Sequence, residues 1–584
     1  MWLSGLFLLI VVHGLNAFAQ APASGTSATF KVGVTNVLVD VVVTDHHGVP
    51  VEGLTRDNFV ILQDGHPQQV VSFEAHSPAS TAITPSRAPL PPGVYTNALA
   101  RPTSDNADVL LIDSLNTPVE NQVRSHQLLL GYLKTLPLNK PVAVFTLTSQ
   151  LRQLEDFTTD HSALLRTVEQ LAANPQKSAL LKTQEDAAQE MKDEDKKLEE
   201  SLGMKKEYAF LATQQMKALQ QVNAERDSFS TSLRVAYTLA AFNQLAGYLA
   251  GMPGRKNVIW VSGSFPLSIL PDVDLKNPFQ AARNFTPEVS HTARLLANAR
   301  VAIYPIDARG LFPESNGAAV DAGSAVRNPD RIAHAQSQEF AQQAQEQMSL
   351  EKVAHDTGGK AIYNTNDLKG AFGEVDRDGA HYYTLAYVPA GRTSADKPHA
   401  IEVRVAPGKY NLSYRRSYIP ARAEDAGGGR NFVSRMQHDV PASTEIIFRL
   451  SPIRIAPEPA TATIVGSNPR APRPLTRYSI DYEVDGSSFA LTPSPEGTLQ
   501  GTATLLSIVY DREGRPLNSA SGTLQIHVPP AQYPEFLKQG IHYREPLDIP
   551  VQAVSLRAGV FDPASGRTGS LEVLLPPPFG HPAP

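Results

Sequence analysis

The chain has 584 residues, too many for one hydrophobic core, and usual domain sizes predict three or four folding units. Its 42% hydrophobic residues, 46 prolines and 38 glycines are typical of a globular, loop-rich, partly β protein. A net charge of −6 provides no basic surface for a polyanion, so we expect no nucleic-acid partner. The absence of cysteine excludes disulfides, thiolate metal sites and thiol catalysis.

The N-terminal segment MWLSGLFLLIVVHGLNAFAQ joins an apolar run to the small-residue pattern Ala17-Phe18-Ala19. This arrangement predicts a signal peptide over residues 1–19. A short membrane anchor is the alternative, but the run from Leu6 to Val12 is far shorter than the roughly 20 residues of a membrane span. No later segment is long and apolar enough, so we expect no transmembrane span in the mature chain. We therefore expect an exported protein, periplasmic or extracellular.

Residues 29–76 predict an N-terminal β module. The stretch VLVDVVVTD alternates β-branched residues with others, and Asp-x-x-Gly and Asp-Gly pairs mark tight turns. Residues 77–106 are rich in Pro, Ser, Ala and Thr without periodicity, which predicts a linker.

Residues 107–390 predict an α/β domain, because short continuously apolar strands alternate with amphipathic helices. Such a pattern favours a parallel sheet covered on both faces, a Rossmann-like, doubly wound arrangement. The predicted strands are 108–113, 141–147, 257–262 and 300–306, with an edge strand at 381–388. The predicted helices are 118–135, 160–173, 229–251, 287–299, 337–357 and 366–376.

One segment, 175–230, interrupts this alternation. It is dense in Glu, Lys, Gln, Ala and Leu, with apolar residues at helical spacing, and predicts a helical insertion that turns near Gly203. Its charges predict a solvated face. If the insertion binds anything, it binds as an amphipathic helix, and a homo-oligomer formed through it is one alternative.

The rest of the chain predicts further β structure. Residues 391–422 form a β extension, which either lengthens the sheet or starts another module, and 423–444 predict a flexible hinge around EDAGGGR. Residues 445–584 predict a β-sandwich-like domain. Within it, LLSIVYDREGRPLN repeats the pattern of LVDVVVTDHHGVPVE: an apolar strand followed by Asp-x-x-Gly-x-Pro.

Common enzyme motifs are missing. The loop from Asp113 to Pro118 contains no glycine that would let a pyrophosphate approach the backbone. Gly263-Ser264 follows a strand but precedes Phe265 and Pro266, so it is not a nucleophile elbow. No His-Glu-x-x-His occurs. We expect no enzymatic activity.

Several motifs of the α/β domain resemble a known family. They are the strand that ends at Asp113, FTTDHSALLRTVEQL, PGRKNVIWVSG, RVAIYPIDARGL, AHDTGGKAIYNTNDL and HYYTLAYVPA, with a β segment before them. Over roughly residues 29–420 the chain is similar to the VWFA-related domain family of exported acidobacterial proteins, whose central domain is of the von Willebrand factor A type. The resemblance implies an adhesive function, with a protein or extracellular-matrix-type ligand.

The resemblance also implies a metal-ion-dependent adhesion site at the carboxyl ends of the strands. Its pattern is Asp-x-Ser-x-Ser, a threonine, and an aspartate after the fourth strand. Here Asp113 matches the first aspartate and Thr117 can replace the second serine, but Leu115 stands in place of the first serine and Gly263 in place of the second aspartate. We assign Asp113, Asn116 and Thr117 as candidate ligands of a degenerate site that holds no cofactor or weakly bound Mg²⁺.

The loop also has a structural interpretation. Asn116 or Thr117 could cap the helix that starts near Pro118, and Asp113 could accept backbone N–H bonds at the top of the sheet. Thr158 and Thr159, the candidate threonines, could likewise cap the helix that follows them. For the whole chain we expect a non-enzymatic, adhesion-type protein. The alternatives are a structural component of an envelope assembly and an accessory subunit of an envelope hydrolase.

Overall fold

The computed structural model describes residues 36–77, 90–98, 106–134, 136, 140–181, 186, 189, 193, 196–197, 206–269, 271, 275–310, 329–365, 367–389, 398–418, 428–457 and 463–575. All of them belong to one compact unit, Asn36–Pro584. The predicted signal peptide and the predicted turn at Gly203 lie outside the described residues. No helix among these residues is long and apolar enough to cross a membrane.

Five strands form the central sheet, in the order β12-β9-β6-β7-β8. They are β6 (Asn106–Asp113), β7 (Val142–Leu147), β8 (Leu151–Thr158), β9 (Arg255–Ser262) and β12 (Val301–Asp307). The first four strands of this order are parallel, and β8 pairs with β7 antiparallel. Every residue of β7, β9 and β12 is buried, as their continuous apolar sequences predict. The four predicted parallel strands are confirmed, whereas β8 was missed because its sequence is mostly polar.

In the described part of the α/β domain, six helices cover the two faces of this sheet. They are α1 (Val119–Leu133), α2 (His161–Ala173), α3 (Lys206–Leu249), α4 (Thr286–Asn298), α5 (Pro329–Thr357) and α6 (Leu368–Ala380). Apolar side chains of α3, α4 and α5 form the core on one face, and those of α1, α2 and α6 form the core on the other. The prediction of a mixed α/β domain with a mainly parallel sheet is confirmed.

Helix α3 corrects the predicted boundary of the insertion. Its 44 residues run through the end predicted for the insertion and through the separately predicted helix 229–251. The second half packs on the sheet through Val235, Leu239 and Phe242, whereas Phe210 and Val222 in the first half are exposed. One continuous helix therefore contains the described C-terminal part of the insertion, residues 206–230, called the arm below, and anchors it to the sheet. A short hairpin, β10 (Ser268–Ile269) and β11 (Arg283–Asn284), follows β9.

The N-terminal β module includes strands that come from much later in the sequence. Its strands are β1 (Val37–Thr44), β2 (Phe59–Gln63), β3 (His66–Gln68), β4 (Val70–His76), β13 (Tyr382–Tyr387), β14 (His399–Val405), β15 (Asn411–Ser413) and β16 (Ser417–Tyr418). They form two sheets, β15-β1-β13-β4 and β16-β14-β2-β3, around one core.

This arrangement corrects two predictions. The strand predicted at the edge of the parallel sheet, β13, instead lies between β1 and β4, antiparallel to both. The predicted β extension 391–422 neither lengthens that sheet nor starts a separate module, because β14 pairs with β2 and β15 with β1. Both predictions failed because the strands pair with partners far away in the sequence. The periodicity of a strand predicts which of its faces is buried, but it does not predict which strand it pairs with.

A partly buried ion pair joins this module to the amino ends of the parallel strands. The Arg300 guanidinium donates to both carboxylate oxygens of Asp40, at 3.0 and 2.7 Å, and to Thr384 Oγ1 at 2.9 Å. Burial raises the pKa of Asp40, but Arg300 outweighs burial, so this pKa is lowered. The module is thus fixed to the α/β domain by charge as well as by packing.

Lys256, buried in β9 near this ion pair, predicts a pH-dependent stability. Burial and the neighbouring Arg300 lower its pKa to about 7. Below that pH the folded state buries an ammonium group, and between about 7 and 10.4 only the unfolded state stays protonated, so stability rises with pH in that window. We expect Lys256→Met to raise the free energy of unfolding by about 1–4 kcal/mol at pH 6 and by less at pH 9.

Urea unfolding of wild type and Lys256→Met at pH 6, 7.5 and 9 measures this effect. Lys352→Met on α5 is the control, because the Lys352 side chain is 32% exposed and pairs with Asp356 one helical turn away. A constant stability difference across the three pH values would contradict the prediction.

The C-terminal region consists of two antiparallel sheets around one core. Its strands are β17 (Ser443–Thr444), β18 (Phe448–Pro457), β19 (Leu475–Val484), β20 (Thr492–Pro493), β21 (Leu499–Tyr510), β22 (Pro516–Val528), β23 (Ile541–Pro550), β24 (Ser555–Phe561) and β25 (Thr568–Leu574). One sheet has the order β17-β25-β24-β21-β20, with β22 also on β21, and the other has the order β23-β19-β18-β5, where β5 is Tyr95–Thr96. A short helix, α8 (Tyr533–Gln539), precedes β23.

Two predicted connecting segments contribute to this region. The linker 77–106 contains β5 (Tyr95–Thr96), which pairs with β18, and the Asn97 side chain donates to the carbonyl oxygens of Ser443 and Ile446. The predicted hinge 423–444 contains helix α7 (Gly428–Arg435) as well as β17. The hinge prediction is wrong for its described part, because Phe432 and Met436 pack against Phe561.

Candidate functional site

The candidate ligands lie at the carboxyl end of the central strand. Asp113 is the last residue of β6, and Asn116 and Thr117 follow in the loop to α1. In the neighbouring parallel strand, β9 ends at Ser262, and Gly263 comes next. The structure brings the three predicted residues together, and all three side chains are buried.

The Asp113 carboxylate already has a full set of hydrogen-bond donors. Oδ1 accepts from the Asn116 backbone N–H at 2.9 Å. Oδ2 accepts from Asn116 Nδ2 at 2.8 Å, Trp260 Nε1 at 3.0 Å and Ser262 Oγ at 2.9 Å. Burial raises the pKa of Asp113, and the Asn116 bonds oppose this rise. The carboxylate therefore ties its own loop to β9, which extends the predicted role of holding the top of the sheet together.

Neither Asn116 nor Thr117 caps helix α1, so that prediction is wrong. Pro118 takes the N-cap position, where no side chain caps the helix. Thr117 Oγ1 instead accepts from the Gly263 backbone N–H at 2.9 Å, and Asn116 Nδ2 donates to Thr238 Oγ1 of α3 at 2.8 Å. Contacts with β9 and α3 therefore take the place of local capping.

Gly263 has no room for the aspartate that the resembled site requires. A Cβ atom at this position would lie 2.9 Å from the Asn116 carbonyl oxygen, 3.1 Å from Thr117 Cα and 3.2 Å from Pro118 Cδ. Two of these neighbours are backbone atoms, which cannot rotate away. The two loops pack too closely for any side chain between them.

The candidate threonines also lie in the wrong place. Thr158 ends β8, and β8 runs antiparallel, so Thr158 pairs with Val142 at the start of β7. It therefore lies at the opposite end of the sheet from Asp113, which is level with Leu147 at the end of β7. The cap of helix α2 is Asp160, whose carboxylate accepts from the Ser162 and Ala163 backbone N–H groups.

The residues present do not fit a divalent cation. Mg²⁺ requires about six oxygen ligands in near-octahedral geometry. Leu115 supplies no oxygen, Gly263 supplies no side chain, and the Asp113 oxygens accept internal bonds. The buried Ser114 hydroxyl has no hydrogen-bond partner in the described part of the chain, but one hydroxyl does not build a coordination shell.

Sequence reasoning missed the main residue of the site, Arg234. Its guanidinium Nη1 donates to Asn116 Oδ1 at 3.1 Å and to Ser264 Oγ at 3.2 Å, and the residue is only 7% exposed. Burial lowers the pKa of Arg234, while the carboxylates of Glu346 and Asp113 oppose this. Its position one residue before Val235, on the face that packs on the sheet, is the sequence signal that could have identified it.

A second ion pair lies at the end of the outer parallel strand. Asp307 ends β12 and accepts two parallel bonds from Arg309, from Nε at 2.9 Å and from Nη2 at 2.8 Å. Arg309 Nη1 also donates to Glu346 of α5 at 2.6 Å. The Asp307 carboxylate is therefore ion-paired, whereas the Asp113 carboxylate is hydrogen-bonded to neutral donors.

Comparisons with known proteins add little to this description. Neither a protein-family profile nor a curated protein sequence matches the chain. The von Willebrand factor type A protein from Catenulispora acidiphila shares 8% identity at a TM-score of 0.22, over 61% of this chain and 75% of that one. An aerotolerance-related membrane protein from Bacteroides fragilis shares 8% identity at a TM-score of 0.23, over 47% of this chain and 98% of that one.

The pilus adhesin SpaC from Lactobacillus rhamnosus GG shares 6% identity at a TM-score of 0.24, over 90% of this chain and 58% of that one. All three TM-scores are below 0.5. The fold therefore rests on the sheet order of this chain, and the site rests on its own contacts.

Proposed function

We propose that the chain is an exported, non-enzymatic protein of the adhesion type, periplasmic or extracellular, that binds a protein or matrix-type ligand. Its α/β domain is a Rossmann-like, doubly wound domain of the von Willebrand A type. The sheet order supports this assignment, because β6 is central, β7 and β8 follow on one side, and β9 and β12 follow on the other. The two sheets of the C-terminal region support a β-sandwich-like domain.

The observation that carries the binding function is an exposed apolar stripe on helix α3. Leu211 is 55% exposed, Val222 61% and Phe229 63%. These residues are 11 and 7 apart, close to whole helical turns, so they lie on one side of the helix. Exposed apolar surface of this kind is typical of protein contact sites. The strand-end loop is buried, so a partner would bind along α3 rather than at the loop.

A double variant tests this surface. We expect Val222→Glu/Phe229→Glu to weaken binding to immobilised collagen or fibrinogen at least about tenfold, since charges replace two exposed apolar side chains that a bound partner would cover. Lys217→Glu is the matched control, because it introduces a negative charge at an exposed position on another side of the same helix and should change binding less than about twofold.

The measurement is surface binding of the full mature chain, with circular dichroism to verify the fold of each variant. Equal loss in the double variant and the control would exclude the stripe as the contact surface. No binding of wild type to either coated protein, together with a monomeric mass in solution, would contradict the adhesion-type function.

The competing function is a structural component that self-associates through the same helix. Light scattering separates the two: a wild-type mass that is a multiple of the chain mass, and that the double variant reduces to one chain, would favour assembly. An accessory role beside an envelope hydrolase remains the third candidate, and no contact among the described residues favours it.

A further inference from the structure

Helix α3 is bonded to the strand-end loops at several points. Asn116 bonds both Arg234 and Thr238, which are one turn apart on α3. Arg234 also reaches Ser264, in the loop after β9. Within the arm, Ser228 Oγ donates to the Ala281 carbonyl oxygen at 2.6 Å. The loops after two neighbouring strands therefore converge on one helix.

The charges at this junction have a fixed arrangement. The Arg234 guanidinium has the Glu346 and Asp113 carboxylates as its charged neighbours. Arg309 bridges Glu346 to Asp307, so three carboxylates and two arginines lie at this junction. Burying a guanidinium is costly. Here the two hydrogen bonds from Nη1 and the attraction of the nearby carboxylates offset part of that cost, while Nε has no hydrogen-bond partner among the described residues.

We propose that Arg234 is the cation of this strand-end site. It takes the electrostatic role that a divalent cation has in the resembled family, and it ties α3 to the ends of β6 and β9. The orientation of α3, which carries the exposed stripe, is then fixed by the Arg234 guanidinium. This orientation does not depend on the concentration of a metal ion. This inference rests on contacts of Arg234, so it stands even if α3 binds no ligand.

Three full-length proteins test the proposal: wild type, Arg234→Met and Arg234→Lys. We expect the melting temperature of the wild type to change by less than about 1 °C between EDTA and 10 mM MgCl₂ or MnCl₂, and calorimetric titration to show no saturable heat. Arg234→Met should melt at least about 5 °C lower, and the amides of residues 206–230 should exchange about tenfold faster. Arg234→Lys should recover part of both losses, because it keeps the charge but not the planar geometry.

A saturable Mg²⁺ or Mn²⁺ titration of the wild type that Asp113→Asn abolishes would overturn the proposal. Melting and exchange of Arg234→Met that match the wild type would overturn it too. If Arg234→Met does not fold, the wild-type titration still decides whether a metal supplies the charge.

Discussion

Replacing Asp113 by alanine is expected to lower the free energy of unfolding of the α/β domain by about 3–5 kcal/mol. The change removes the acceptor of Asn116, Trp260 and Ser262, and each buried donor that is left unpaired costs about 1–3 kcal/mol. It also removes a negative charge near the buried Arg234 guanidinium. The loss is therefore larger than for a typical surface aspartate.

Denaturant unfolding, followed by the fluorescence of buried Trp260, measures this loss. Asp160→Ala is the control, because its exposed carboxylate only caps helix α2 and should contribute about 1 kcal/mol. We expect Mg²⁺ to restore no stability to Asp113→Ala or to add any to the wild type. If the two alanine variants lost equal free energy of unfolding, the hydrogen bonds of Asp113 would contribute no more than an exposed helix cap, which would contradict the prediction.

Replacing Arg557 by alanine is expected to destabilise the C-terminal region by a similar amount, about 3–5 kcal/mol. Arg557 is 1% exposed and donates to the carbonyl oxygens of Arg435, Val440 and Pro441. It also donates to Ser570 Oγ of β25 at 3.1 Å. One side chain thus holds the segment between α7 and β17 against the sheet.

This segment connects the C-terminal region to α3. Just beyond it, Thr444 Oγ1 donates to the Tyr248 carbonyl oxygen and accepts from the Gly251 backbone N–H, both at 2.8 Å. Arg557→Ala should therefore also speed amide exchange at residues 436–444. The control is Arg544→Ala, whose 71% exposed side chain pairs with Asp481 and should contribute at most about 1 kcal/mol. Similar losses for the two variants would contradict this account.

The strength of local prediction is clearest at two turns. The repeated Asp-x-x-Gly-x-Pro pattern predicted matching turns after two strands. In the structure Asp45 Oδ1 accepts the backbone N–H groups of His47 and Val49, and Asp511 Oδ1 accepts those of Glu513 and Arg515. The prediction succeeded because every contact lies within four residues, where side-chain type decides the backbone path.

Predictions that required a distant partner failed more often. The apolar sequence of β13 predicts a buried strand but does not indicate the sheet to which it belongs. Its pairing with β1 joins residues more than 300 positions apart. The candidate site shows the same limit. Asp113 could be identified from its strand, whereas Arg234 reaches Asn116 across 118 residues of chain.

The sequence by itself determined the parallel strands, the helices on both faces of their sheet and the loop at Asp113, because apolar periodicity and turn chemistry act locally. Tertiary structure alone decided which strands complete the N-terminal module and what the Asp113 loop binds. The physical reason lies in hydrogen bonding and charge: a buried carboxylate or guanidinium must be satisfied by whichever groups the fold brings near it. Here those groups come from β9 and α3, which hydrogen-bond the side chains of Asp113 and Asn116.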